Sequence, residues 1–233
     1  CGHTPPYYRE FVERYGFRPQ RGQNIALELP LQGLDDEQSR LGKVRRVADL
    51  VRRRGSVRVR SAKLDDWDNE IDRVVYLLNR ALAVLPDFMP WNRDTFAAMA
   101  RQMREYIDPD LILFGEIEGE TVGLLVGMPN LNEALIRANG LRFPWDFVRA
   151  QWALRRRPQC LCVKSVLVLP HFWGRGVDAL MYDEMASRAL AKGYRWVDLS
   201  ITGADNPMTP RLAQRLGGRV YKRWQVYAKE VKS

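Results

Sequence analysis

The chain has 233 residues, 46% hydrophobic and 28% charged, with a formal net charge of +9. That balance excludes a disordered chain, which would be poorer in apolar and aromatic side chains. A membrane-spanning helix is excluded too, because no run of about 18 apolar residues is free of charge. The length suits one large domain, or one domain plus a fragment of another. The basic excess favours an anionic partner: nucleic acid, an anionic membrane surface or a phosphorylated cofactor. Three cysteines cannot build a disulfide framework. Cys160 and Cys162 lie two apart in an apolar run, so we read them as buried, reduced thiols of a cytoplasmic protein.

Residue 1 is Cys, which we read as a start inside a longer chain. Residues 5–15 predict a helix stopped by Gly16, and residues 23–30 a strand. Setting Gly16 on Gly217 brings Pro6 onto Pro207, Phe11 onto Leu212, Arg14 onto Arg215 and Arg18 onto Arg219. Both segments read as a helix opened by Pro, ended by Gly and followed by a strand. Residues 1–34 are therefore expected to be the C-terminal remnant of an earlier copy of the fold that ends at residue 233. Asp35, Asp36 and Glu37 open a helix that runs to Arg54, acidic at its start and basic at its end, as the helix dipole favours. Residues 35–55 are expected to form a basic linker helix, and residues 56–233 the main domain.

Within the main domain, Ser56 to Ser61 alternates as a strand. Residues 68–84 predict a helix with Ile71, Val74, Val75, Leu78 and Leu82 on one face. Asn92 or Asp94 caps a further helix. Residues 111–117 and 121–128, joined through Glu118-Gly119-Glu120, predict a hairpin. Residues 129–157 interrupt the pattern with two Trp and two Phe, an insertion expected to cover the sheet or to close over a substrate as a lid. Cys160 to Leu169 reads as a buried strand, Gly174 to Leu190 as a helix, Trp196 to Ile201 as a strand, Pro207 to Leu216 as a helix, and Val220 to Val231 as a final strand. The order is that of an α/β protein.

The segment LVLPHFWGRGVDALMYDEMASRAL carries the chemistry. A buried strand runs into a glycine-containing turn that opens a helix. Such a turn aims backbone N–H groups at one point, where the positive end of the helix dipole favours an anion. Gly174 and Gly176 permit close approach, and Arg175 adds charge. Neither a nucleotide P-loop nor a dinucleotide fingerprint fits the spacing.

This context resembles the GNAT N-acetyltransferase superfamily. The central strand, Pro170, the Gly174-Arg175-Gly176 loop and the long helix match its acetyl-CoA pyrophosphate-binding unit. Asp198-Leu199-Ser200, Asn206 and Arg215-Leu216-Gly217-Gly218 match its next strand, its cofactor-facing Asn and its helix-ending Gly. The opening PPYYREFVERYGF resembles the end of a preceding GNAT-like half, so the whole resembles bacterial proteins with two such halves. The resemblance implies a GNAT-like mixed sheet flanked by helices. It also implies an acetyl-CoA-dependent N-acetyltransferase acting by direct transfer, with acetyl-CoA as donor and no metal. The cofactor-binding residues it implies are Val166, Leu167, Val168, Phe172, Trp173, Gly174, Arg175, Gly176, Val177, Asp178 and Asn206. Three positions depart from the pattern: Trp173 replaces the usual Arg or Gln, Asp178 the usual Gly or Ala, and Ala213 the frequent Tyr general acid. Asp178 and the missing Tyr favour an alternative, a catalytically inactive GNAT-fold module that binds a ligand or partner, while the intact strand–loop–helix and Asn206 favour the transferase.

Direct transfer needs a polarised carbonyl, a deprotonated amine and a protonated leaving thiolate. The candidate acids are Tyr221 and Tyr227, with Tyr182 on the long helix, and Ser200 or Asp198 can relay a proton. His171 falls at the pyrophosphate end, away from a thioester. Glu116 and Glu118 read as surface charges of the hairpin. The basic cluster of Lys43, Arg45, Arg46, Arg52, Arg53, Arg54, Arg58 and Arg60, and the run Arg155 to Arg157, read as solvated faces. Neither belongs to a named nucleic-acid motif. The expected partner is a small-molecule or peptide amine, with neither nucleic acid nor membrane.

Overall fold

The computed structural model describes residues 4–31, 40–85, 88–137, 142–155, 158–206 and 209–230. Among them, seven strands form one sheet flanked by eight α-helices. Helix α1 (Tyr7–Arg14) leads into strand β1 (Arg18–Pro30), and α2 (Arg40–Arg54) into β2 (Arg58–Ser61). Helices α3 (Trp67–Leu82) and α4 (Arg93–Met103) precede the hairpin β3 (Ile112–Ile117) and β4 (Glu120–Pro129). The insertion supplies α5 (Asn132–Arg137) and α6 (Pro144–Arg155). Then follow β5 (Cys160–Val168), α7 (Val177–Ala191), β6 (Trp196–Gly203), α8 (Thr209–Arg215) and β7 (Arg219–Ala228). The helix-opening acids Asp35, Asp36 and Glu37, the residues Cys1 and His3, and Arg156 and Arg157 lie outside the described residues.

Local chemistry explains these elements. In α3, Ile71, Val75 and Leu78 recur at helical spacing and are buried, as an amphipathic helix on a sheet requires. The Asn92 side chain accepts the N–H groups of Asp94 and Thr95 and so caps α4, satisfying two otherwise unpaired donors. Between β3 and β4, Glu118 and Gly119 both take positive φ, 52° and 84°. That is the requirement of a two-residue hairpin turn whose twist matches the strands.

The strand order is β2-β3-β4-β5-β6-β1-β7. Neighbours pair antiparallel except β5 and β6, which run parallel. Strand β1, in the segment read as a remnant of an upstream half, lies between β6 and β7 and hydrogen-bonds to both. Its helix and glycine take the same local form as those before β7: Gly16 and Gly217 both adopt left-handed backbone, at φ 88° and 93°. Helix α7 packs through Val177, Leu180, Met181, Met185 and Ala189 on the main core. It sits close because β3 and β4 carry glycine beneath it. A Cβ on Gly123 would come within 2.9 Å of Val177 Cγ1.

Two readings of charge need correction. Glu116 is no free surface charge: its carboxylate takes the Arg60 guanidinium, which also binds buried Glu70. The basic face of α2 is only partly solvated. Arg45 and Arg52 reach Asp183 of α7 at 3.4 and 2.7 Å, and that carboxylate is buried.

Candidate functional site

Strands β5 and β6 pair in parallel only from Cys160 and Trp196 to Val163 and Leu199. On its other edge β5 stays with β4 as far as Val168. The pairing of β5 with β4 jumps from Gly127–Val163 to Val126–Ser165, leaving Lys164 as an extra residue. Such a bulge bends its strand and raises the local twist. It falls where β5 leaves β6, which accounts for the divergence of the two strands.

The gap is a cavity of about 950 Å³. Val166, Leu167 and Ser165 line one side, and Ser200, Ile201 and Thr202 the other. Leu82 and Leu85 from the end of α3 add apolar surface, and Asn206 stands at the β6–α8 connection. Asn206 also holds its own loop, since its amide donates to Thr202 Oγ1 at 3.1 Å and its carbonyl accepts the Thr209 N–H at 3.4 Å.

Beyond Val168 the chain enters the glycine loop. The helix begins later than the sequence predicts, at Val177, because Pro170–Phe172 form a 3-10 turn and the glycines take left-handed backbone. A Cβ on Gly174 would meet nothing within 4 Å, so this side of the loop is open. The amides of Gly174 and Gly176 have no acceptor among the described residues. With the first amides of α7, which are free by helix geometry, they leave a group of backbone donors at an open turn, an arrangement that can hold an anion. Arg175 is exposed, and its guanidinium lies 5.2 Å from the Phe172 ring centre.

The other loop residues have internal duties. The Trp173 indole donates to the Val168 carbonyl at 2.8 Å and pins the strand end. Val177 is buried, so its side chain is core and only its backbone amide is left to meet a ligand. A Cβ on Gly176 would collide with Val51 of α2. Packing against that helix is therefore a reason for glycine there that the sequence did not show. Asp178, in the first turn of α7, lies near Tyr182. Burial, and then that charge, push the Tyr182 hydroxyl up to about 12.

The expected proton-transfer residues separate in space. Ser200 is on the cavity wall. Tyr221 is outside it, edge-on to Trp196 with ring centres 5.9 Å apart. Its hydroxyl is pushed up by burial and by the charge of Asp198. Tyr227 lies at the other end of β7, where its hydroxyl donates to Glu13 of α1 at 3.2 Å. It does not border the cavity. Ala213, where the resemblance puts a Tyr, is buried against Ile25 and Leu27.

Asp198 is the residue that sequence reasoning undervalued. It is buried on the β6 segment still paired to β5. One carboxylate oxygen lies 3.9 Å from Cys162 Sγ, and the other has no partner among the described residues. A buried carboxylate oxygen without a donor is costly unless a ligand or solvent meets it. Cys160 and Cys162 are both free and buried. The hydrogen bond between them, and then burial, raise the Cys160 thiol far above its ordinary range, so it is inert as a nucleophile. No group of metal-ligating side chains occurs among the described residues.

A parallel pair that opens around a cavity, followed by a glycine loop and a helix N-terminus, defines the class, and comparison with solved structures agrees: the chain has the GNAT fold. It superposes on a GCN5-related N-acetyltransferase from Sphaerobacter thermophilus with a TM-score of 0.60 at 17% identity, covering 96% of this chain and 56% of that one. It also superposes on a tandem GNAT protein from the clavulanic acid biosynthesis pathway, with a TM-score of 0.57 at 12% identity over 97% of this chain and 59% of that one. In sequence it is 26% identical over 237 residues to a protein of Caulobacter vibrioides named bacterial ceramide synthase. That match covers 98% of this chain and 59% of the relative, so the chain spans about three fifths of the relative's length. No family model matches the chain.

Proposed function

We propose that the chain carries the donor-binding half of an acyl-CoA-dependent N-acyltransferase. The observation that carries this reading is that β5, which lines the cavity as far as Leu167, runs on into the open glycine loop at Gly174. An acyl-CoA has the matching parts in the same order: a thioester, an extended amide-bearing arm and a diphosphate. The unpaired edge of β5 at Ser165–Leu167 would hold the arm by backbone hydrogen bonds. The amides of Gly174 and Gly176 and the exposed Arg175 would hold the diphosphate. Bound there, acyl-CoA supplies an activated carbonyl.

The chain's own groups then orient the acceptor and move its proton. Ser200 faces the cavity, and Asp198 lies two residues back on the same strand, a spacing that points both side chains to one face. In this account the unpartnered oxygen of Asp198 takes the amine proton, through Ser200 or a water. Tyr221 stays protonated near Asp198 but stands outside the cavity. The amine nitrogen bonds to the acyl carbon, the carbon–sulfur bond breaks, and the proton taken up by Asp198 passes back through Ser200 or a water to the leaving thiolate. Acetyl-CoA is the simplest donor for this site.

For the acceptor we propose an amine with an apolar tail. Leu82, Leu85, Leu167 and Ile201 give the cavity an apolar lining, and the Caulobacter relative is named for making a ceramide. The test is thiol release and amide formation, read by mass spectrometry. Donors are acetyl-CoA and a long-chain acyl-CoA, offered with a short amine, a lysine peptide and a long-chain amino alcohol. Turnover should be greatest with the amino alcohol and fall about 100-fold or more in Asp198→Asn.

A second reading, ligand binding without transfer, is favoured by Asp178, whose carboxylate in the first turn of α7 opposes a bound anion. Acyl-CoA binding without turnover on any acceptor is the result that selects it.

A further inference from the structure

The α5–α6 insertion presents to solvent what a protein normally hides. Ile136 is 80% exposed, Val148 70%, and Trp145, Phe147 and Trp152 each 56%. Trp145, Val148 and Trp152 follow helical spacing along one face of α6. Asp146 and Ala153, about a third of a turn around the helix from that stripe, are both buried. Phe143 stacks on Trp145 with ring centres 4.8 Å apart, extending the aromatic surface beyond the helix start.

The charges are sorted as sharply. The two acids of the insertion's helices both turn inward. Glu133 accepts the N–H groups of Gln159 and Cys160 at 2.8 and 2.9 Å, tying α5 to the start of β5. Asp146 accepts the Phe143 N–H at 3.0 Å and is fully buried. The basic residues turn outward: Arg149 keeps a side chain 63% exposed while its guanidinium stands 3.8 Å from Asp146, and Arg142 lies over the Phe143 ring. The outer face therefore combines large apolar side chains with exposed arginine, in a segment (residues 129–157) that has six Arg against one Glu and one Asp, on a chain whose net charge is +9.

We propose that this face docks the protein onto an anionic lipid bilayer, with α6 lying in the headgroup region. Trp and Phe favour that depth. Arginines at the flank of an apolar face reach the lipid phosphates while their stems stay in contact with the apolar layer. A partner protein or a second copy would have to bring a matching acidic rim, whereas an anionic bilayer supplies apolar and negative surface together. The sequence reading set membranes aside because no helix can cross one. None of the described helices is long and apolar enough to do so, but a helix lying in the interface needs no spanning length. The inference stands on exposure and charge alone and does not depend on acyl transfer.

The test is co-sedimentation of the chain with vesicles of phosphatidylcholine alone and of phosphatidylcholine mixed with phosphatidylglycerol. The expected result is binding to the mixed vesicles, weakened about tenfold or more by neutral lipid or high salt, with a blue shift of Trp emission. Trp145→Ser with Val148→Ser should lose that binding while keeping the native circular dichroism. Protein that stays in solution with anionic vesicles overturns the proposal. So does equal binding by the double variant, or an oligomer formed without lipid and broken by the double variant, since a second copy would then be the occupant. Acyl-CoA binding, measured alongside, tests the function of the cavity independently of either result.

Discussion

Val51 of α2 occupies the space that a Cβ on Gly176 would need, so the glycine loop is moulded against a helix as well as shaped for a ligand. Gly176 also holds a φ of 82°. An alanine there adds left-handed strain and a collision, each about 1–3 kcal/mol. Gly176→Ala should lower stability by about 2–6 kcal/mol in denaturant unfolding. Val51→Ala should restore part of that loss, because it removes the collision and leaves the strain. Additive losses in the double variant would show that the two residues do not meet.

Arg45 and Arg52 converge on buried Asp183 and fasten α2 to α7. Asp183→Asn leaves two arginines facing a neutral amide. Their heads remain partly exposed, so the cost falls below the usual 3–5 kcal/mol for a broken buried pair; about 1–3 kcal/mol is expected. Thermal unfolding with and without the variant reads it directly. An unchanged melting temperature would mean that hydrophobic packing alone fixes α2.

Tyr182 gives a pH signature. Its hydroxyl ionises at about 12 in the folded chain and near 10 when unfolded. Between those values the unfolded state has already released the proton that the folded state keeps. Stability is therefore full below pH about 10 and falls as pH rises toward 12, by about 2–3 kcal/mol. Tyr182→Phe should flatten that alkaline limb. An equally steep fall in the variant would assign the loss to other groups.

Glu133 anchors the insertion through two charge-assisted hydrogen bonds to backbone amides. Glu133→Gln keeps the shape and weakens both, a loss of about 1–2 kcal/mol. Because the bonds join α5 to β5, the effect should appear as faster proteolysis within residues 129–157 before global unfolding. Cleavage rates equal to those of the parent chain would place the anchor elsewhere.

Much of the fold was legible because it is local or periodic. The helical spacing of Ile71, Val75 and Leu78, the Asn92 cap and the Glu118-Gly119 turn each specify their element within a few residues. The loop was legible too, since a strand, glycines and a helix in series leave few alternatives. What could not be read depends on distant partners. The place of β1 between β6 and β7 is set by pairing across nearly the whole chain. The Lys164 bulge is invisible in a run that alternates no differently from an ordinary strand. Arg60 with Glu116, and the arginines of α2 that meet Asp183, looked like surface charges because sequence shows the charge and hides its burial. Tyr221 and Tyr227, alike in sequence, separate only when β7 takes its register against β1.

The most direct test of the central claim is calorimetric titration of the chain with acetyl-CoA, competed by free CoA and repeated on Arg175→Glu. The account predicts saturable binding with one site per chain, lost on competition and weakened about tenfold or more by the charge reversal. No heat from the native chain, or equal affinity in the variant, would contradict it.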